Sequence, residues 1–456
     1  MKNRLPLFYA VTAIFWYALY TYVPYVSPYS EYLGADLRLI GLIVGAYGFT
    51  QMAIRFPLGI LSDRLGKRKI FVLAGLFFAA VSGIVVFFVP SAYAVLLSRS
   101  LGGVAAASWV TFAILGASYY PPEEAAKSVG FLNSANALGR ILAFLTGGLI
   151  AEILGVPFAF LLGGLAGVVG LVAGVWIVET GRSNNRKPKT VDCNLHVVGA
   201  GSSRPSSPQE QAVDHTCQPS VNDISSGRED PAPTVCKADT CGQNFTTETS
   251  ATSDKKEAPT LKDLLSLVGG KQLLAASLLA ILSQYIAFAT AFGFTPLFGE
   301  SLGATHFQLG MLGMAAAIPG LVISPLAGTI IPKKIGNRNT IALGFLMAAV
   351  GCVLFVFVTN IWQLYAVQVL VSAGLTLAYT LLMGLSIKGI QTQKRATAMG
   401  FFQAVYGLGM FIGPFVTGWV GHGFGLSVAF VITGAVGVMG AVAAYVFARC
   451  GYIARG

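Results

Sequence analysis

Three arginines stand inside stretches that are otherwise apolar: Arg55, Arg99 and Arg140. No aspartate or glutamate falls in the middle of any such stretch; Glu31, Asp36, Glu152 and Glu300 lie near their ends. A cation buried in an apolar medium is costly and is normally functional or paired. Without carboxylates to pair with, three arginines in one half of the chain would line a watery cavity and attract an anion, since the guanidinium fork fits carboxylates and phosphates. The bland alternative is that they bond helix carbonyls or asparagine side chains. Arg55, about two turns from the end of its stretch, is expected to reach out to the lipid headgroups. Arg140, near the middle of the fifth stretch, is the main candidate for direct ligand contact.

Other polar or aromatic side chains would join such a cavity. The first half offers Trp16, Tyr17, Tyr20, Gln51, Asn133 and Asn136; the second offers Gln284, Tyr285, Gln403 and Tyr406. Asn133 with Asn136, and Gln403 with Tyr406, are three apart and share a helix face. Interhelical hydrogen bonding accounts for each equally well. Tyr22, Tyr25 and Tyr29 are expected in an aromatic belt at the membrane surface.

Metal, cofactor and enzymatic chemistry find no footing. Cys193 and His196, with His215, Cys217, Cys236 and Cys241, fit no compact zinc spacing, and the cysteines are expected as reduced thiols. Gly199-Ala200-Gly201 lacks the strand and helix of a dinucleotide site. Asn244 opens a glycosylation sequon on the side of the membrane where none is used.

The elements that must carry these residues are long and apolar. Of 456 residues, 55% are hydrophobic and 11% charged, with a mean hydropathy of +0.69. Soluble domains carry about 25% charged residues. Twelve stretches of spanning length cover 6–30, 38–62, 69–90, 92–118, 126–153, 156–178, 271–298, 306–331, 339–360, 362–387, 395–420 and 425–448. The first follows Lys2 and Arg4 as a signal peptide would, but is too long and lacks a cleavage site. Residues 179–268 are polar, rich in Ser, Thr and Pro, and read as a disordered linker. The expected parts are a bundle over 1–178, the linker over 179–268 and a bundle over 269–456. The tails and the loops bearing Lys67, Lys127, Lys333, Lys388 and Lys394 fall on one side, and Arg38 alone on the other. By the positive-inside rule both termini and the linker are cytoplasmic. The net charge of +11 is thus a topology and anionic-lipid signal, not a nucleic-acid footprint.

One polar string carries a family signature. "GILSDRLGKRK" places Gly59, Asp63, Arg64, Gly66, Lys67 and Arg68 between the second and third stretches, where a tight loop is expected. It resembles the Gly-x-x-x-Asp-Arg-x-Gly-Arg/Lys-Arg/Lys loop of the major facilitator superfamily. "PLAGTIIPKKIGNRN" repeats it at the matching place in the second half, keeping Gly328, Lys333, Gly336 and Arg338. Arg99 with Gly102 and Gly103 resembles the family's fourth helix. Gly409, Gly413 and Pro414 make a Gly-x-x-x-Gly-Pro packing or hinge motif in the eleventh stretch, similar to one that many antiporters of the family carry in the fifth. Here the fifth has Gly139, Gly147 and Gly148 but no proline.

The resemblance implies an all-α integral membrane protein with twelve transmembrane helices in two six-helix bundles, a 6+6 repeat. It implies that Asp63 closes a cytoplasmic gate, and that the bundles rock about a central site, a transporter rather than an enzyme. The expected protein is a monomeric, multi-pass secondary transporter of the plasma membrane. It would move a small organic solute, an organic anion by its charges, coupled to a proton or other ion, with no cofactor and no metal. The alternatives are proton-coupled efflux of hydrophobic compounds and, in another class, a membrane sensor signalling through the linker.

Overall fold

The computed structural model describes residues 5–65, 67–120, 125–179, 270–390 and 395–452. Among them, twelve helices are long and apolar enough to cross a membrane. They are α1 (Leu5–Tyr32), α2 (Leu37–Leu65), α3 (Lys69–Phe88), α4 (Ala92–Ala117), α5 (Ala125–Leu154) and α6 (Val156–Val175), then α7 (Lys271–Ser301), α8 (His306–Thr329), α9 (Asn337–Phe357), α10 (Ile361–Ile387), α11 (Arg395–Phe424) and α12 (Leu426–Arg449). Helices are forced here: in an apolar medium a chain must satisfy its own backbone groups. Successive spans alternate in direction. Leu5 and Arg449 therefore lie at the same end of the bundle, called the terminal side below; the opposite end is the far side. The bulk of the segment expected as a linker, and the cysteines and histidines in it, lie outside the described residues.

The signature string is less of a loop than its charges suggest. α2 runs on to Leu65, so Gly59 through Leu65 form its last two turns, and α3 begins at Lys69. Arg64 and Lys67 are exposed. Gly66 and the side chain of Asp63 lie outside the described residues. The α3 start is tied to the end of α6: Lys69 Nζ donates to the Val175 carbonyl at 2.5 Å, and the Arg68 N–H donates to the Glu179 carboxylate. Tyr119 donates to the Val178 carbonyl at 2.6 Å; burial, with Glu179 beside it, pushes its phenol up to about 12, so it stays a neutral donor. In the second copy Gly336, at φ 81°, ends a short helix (Ile331–Ile335), a backbone conformation that favours glycine.

Small residues set the helix spacing, as expected where lipid removes the hydrophobic drive between helices. A Cβ on Gly83 would fall 2.5 Å from the Phe160 carbonyl oxygen, so α3 and α6 touch backbone to backbone. Gly409 and Gly413 of α11 lie against the backbone of Ile281 and Tyr285 in α7, the packing role their spacing predicts.

The halves meet along two helix pairs, and both pairs splay. On α2 the stripe Gly41, Gly45, Gly48 packs on Gly418, Pro414, Phe411 and Met410 of α11, and Met52 packs on Gly407. Further along the same faces, toward the terminal side, Gly59 and Gly400 have open space. On α5, Phe144 and Gly148 pack against Phe307, Gly310 and Gly313 of α8, whereas Gly130, Gly320 and Gly328 meet nothing. The halves are therefore closed at the far side and apart at the terminal side.

Far-side polar contacts reinforce this closure. Tyr25 donates to the His306 carbonyl (3.3 Å), the Phe307 N–H donates to Glu152 (3.0 Å), and His422 lies 3.5 Å from Asp36. Arg38 stacks on Trp419 at 4.6 Å. Tyr22, Tyr25 and Tyr29 are buried rather than belted. Tyr22 stacks on Phe160 at 4.6 Å and shares a hydrogen bond with Ser82. Tyr29 also lies against Phe160, and Tyr25 turns to His306 of α8, so these three rings face neighbouring helices, while Tyr32 at the same end is exposed.

Candidate functional site

Helices α1 and α7 break at matching depths. In α1, regular helix stops at Tyr20 and a 3₁₀ turn (Val23–Tyr25) with Pro24 precedes Val26–Tyr32. In α7, a π-helical turn (Thr290–Phe294) separates Lys271–Ala289 from Thr295–Ser301, which has Pro296 in its first turn. The π turn brings Gly293 against the Phe288 carbonyl, where any Cβ would collide, and Ser27 donates to the Gly293 carbonyl across the halves at 2.6 Å. Matched interruptions in the two halves of a duplicated membrane protein mark binding sites, and π-bulges in helices often do so too.

The arginines gather at this level. Arg99 (3% exposed) lies over the ring of Tyr47 at 4.5 Å, and Arg140 lies over Tyr20 at 4.5 Å and over Phe292 at 6.0 Å. The rings continue across the halves: Tyr47 stacks with Phe288 at 6.1 Å, Phe288 meets Phe292 at 4.9 Å, and Phe292 meets Tyr20 edge-on at 6.1 Å. A string of four rings thus joins the halves, with a guanidinium at each end. Each cation–ring contact is worth about 2 kcal/mol when desolvated, which offsets part of the cost of an arginine in an apolar bundle without a carboxylate. Nε of Arg55, of Arg99 and of Arg140 is buried and finds no hydrogen-bond partner among the described residues. A buried donor left unmade costs about 1–3 kcal/mol, so three such donors are a standing capacity to bind an acceptor.

Arg55 departs from its expected place. It does not extend to the helix end but is 5% exposed and donates from Nη1 to the Tyr406 hydroxyl at 3.4 Å, across the α2–α11 contact. The end of α2 is ten residues away, roughly 15 Å at 1.5 Å per residue, too far for its side chain. Tyr406 packs edge-on against Tyr379 and Phe402.

The remaining candidates divide. Asn133, Asn136 and Arg140 lie on one face of α5, with Asn133 exposed and Asn136 partly so; together they form a polar track from the terminal-side opening to Arg140. Gln51, one turn before Arg55, is buried, whereas Gln284 and Gln403 are partly exposed. Tyr17 instead shares a hydrogen bond of 2.7 Å with Thr146 of α5, which is helix–helix packing. Tyr285 is buried beneath α11, and Trp16 packs on Tyr20 and Trp109. Tyr47, Phe288 and Phe292 were not singled out from the sequence, where an aromatic in an apolar run looks like core.

Two narrow clefts flank Phe292. One is lined by Leu19, Tyr20, Val23, Tyr47, Arg99, Phe288 and Phe292. The other is lined by Val23, Pro24, Phe144, Ala291, Phe292, Pro296, Gly313 and Ala316. Both take walls from each half. No group of three or more potential metal ligands occurs among the described residues.

The sequence model of the Major Facilitator Superfamily matches residues 8–339 and 273–452. The chain belongs to this superfamily. An uncharacterized MFS-type transporter of Methanocaldococcus jannaschii is 23% identical over 407 residues, 89% of this chain and 87% of that protein. The quinolone resistance protein NorA of Staphylococcus aureus is 34% identical over 155 residues, 33% of this chain and 38% of that protein. Several other curated relatives are likewise matched over about a third of their length. Among solved structures, a bacterial homologue of the human lysosomal transporter Spinster, inward-facing and unoccupied, superposes with a TM-score of 0.72 at 14% identity, covering 99% of this chain and 98% of that one. This MFS transporter thus has the fold that its twelve stretches and signature string imply.

Proposed function

We propose that this MFS transporter is a secondary carrier of a small organic anion, working by alternating access between its two bundles. One observation carries the reading. Arg55, Arg99 and Arg140 converge on the space between the halves with an unpartnered Nε each, while every carboxylate in the described spans lies within a few residues of a helix end. Entry runs along Asn133 and Asn136 to Arg140. With the termini cytoplasmic, as the positive-inside rule directs, the splayed terminal side makes this the inward-open state. Asp63 then closes that side in the opposite state. The carrier is a plasma-membrane monomer in contact with anionic lipid, residues 179–268 link its bundles on the cytoplasmic side, and a solute or ion gradient drives it.

A thermal-shift screen of detergent-purified protein against organic anions and lipophilic cations tests this, because a ligand of the folded form raises apparent stability. An anion should stabilise the wild type and lose its effect in Arg140→Gln. Stabilisation by cations that persists in Arg140→Gln would overturn the reading.

A second reading is proton-coupled export of hydrophobic compounds, favoured by the aromatic lining and the partial match to a quinolone resistance protein. It requires a titratable group, for which the end-lying acids such as Glu31, Asp63, Glu152 or Glu300 are the candidates. Proton-coupled export that survives joint neutralisation of Glu31, Glu152 and Glu300 would remove this version.

A further inference from the structure

The two clefts differ in chemistry. The first has Arg99 in its wall, and Arg140 reaches over the Tyr20 and Phe292 rings that border it. The second offers no polar side chain at all: its walls include Pro24, Phe144, Pro296, Gly313 and Ala316. An anionic group gains nothing there, whereas an apolar group would be removed from water on every side. Two residues, Val23 and Phe292, line both clefts; Val23 is buried, whereas the Phe292 side chain is partly exposed while its neighbours Gly293 and Phe294 are buried. Arg140 grips that ring from 6.0 Å, at the outer reach of a cation–π contact. The ring also sits on a π turn, where the backbone is already out of helical register.

Resting on the anion reading above, we propose that the two clefts are one bipartite site parted by Phe292, and that the substrate is amphipathic: an acidic group with a flat apolar body. The acid lies between the free Nε of Arg99, in the wall of the first cleft, and that of Arg140, over the rings that border it. The body turns the Phe292 ring aside and occupies the space beyond it, against Phe144 and Ala316. Both clefts are narrow while the ring stands between them, so a flat body enters only when Phe292 moves. Phe292 is then the residue that sets how large a body is accepted, and Arg140 the one that demands the charge.

Acetate, benzoate and 2-naphthoate, titrated against the purified full chain by thermal shift, separate the possibilities. Affinity in the wild type should rise in that order. Phe292→Ala, with Phe292→Leu as the milder variant, should favour 2-naphthoate over benzoate by a further factor on the order of ten, the discrimination that a few apolar atoms provide in a fitted site. Ala316→Leu, which fills the second cleft from its far wall, should cancel the preference for 2-naphthoate and leave acetate unchanged. Acids that bind with the same size ranking in all the variants would overturn the bipartite site and leave the anion reading standing. If none of the acids stabilises the wild type, both fall together.

Discussion

At the residue scale, the arginines are the informative feature, and the sequence made them visible because charge is rare in such stretches. Their number and the lack of buried acids could be read directly. What holds them could not: Tyr47, Tyr20 and Phe292 are aromatics among many, and only the folded bundle brings them over a guanidinium. Arg55 shows the limit most clearly. Its distance from the helix end suggested an outward reach, but whether a long side chain turns out or in depends on the neighbouring helix, and α11 supplies Tyr406. Replacing that tyrosine leaves Arg55 buried with one donor more unmade. Tyr406→Phe should therefore lower the protein's stability by about 1–3 kcal/mol. A fall in apparent melting temperature in detergent checks this, with Tyr445→Phe, a half-exposed tyrosine, as a control that should change little.

At the element scale, spans were legible and their interruptions were not. Twenty apolar residues announce a helix crossing the membrane, but the π turn of α7 and the 3₁₀ turn of α1 leave only faint marks, Gly293 with Pro296 and Pro24. Set at corresponding depths in the two halves, those marks were a signal the sequence did contain. The far-side contacts of α5 with α8 depend on small residues: a Cβ on Gly310 would fall 2.6 Å from the Phe144 carbonyl oxygen, and Gly148 packs against Phe307. Gly310→Leu should wedge these helices apart and shift the population toward opening at the far side. Spin labels on exposed far-side positions of the two halves, Tyr32 and Phe424, should report a longer distance in this variant than in the parent. An unchanged distance distribution would show that the seal does not rest on this contact.

At the scale of the whole molecule, the duplication is clear in topology and worn in detail. Both halves carry a broken first helix, yet Arg55 and Arg99, which are buried, and Arg140, partly so, all lie in the first half, and the second contributes rings, Phe288, Phe292 and Tyr406. The close cation–ring pairs, Arg99 with Tyr47 and Arg140 with Tyr20, lie within the first half, and across the halves Arg140 meets Phe292 at 6.0 Å and Arg55 donates to Tyr406. Of the residues read from the second half, Tyr406 meets Arg55, whereas Gln284 and Gln403, which stood out for polarity, are partly exposed, and the rings beside Arg140 and Tyr47, Phe292 and Phe288, are apolar.

The splay of the two halves has an electrical consequence. A cleft filled with water on the terminal side sits near the potential of the solution it opens to. The membrane voltage must then fall across the thin far-side septum, from the level of Arg140 to the contacts of Asp36 and Glu152, instead of across the full bilayer. A unit charge crossing the whole voltage exchanges about 2.3 kcal/mol per 100 mV, and nearly all of it would be exchanged over these few turns of helix. On the anion reading proposed above, a solute held at Arg140 would have felt little of the field on its way in and would meet the voltage when the septum opens.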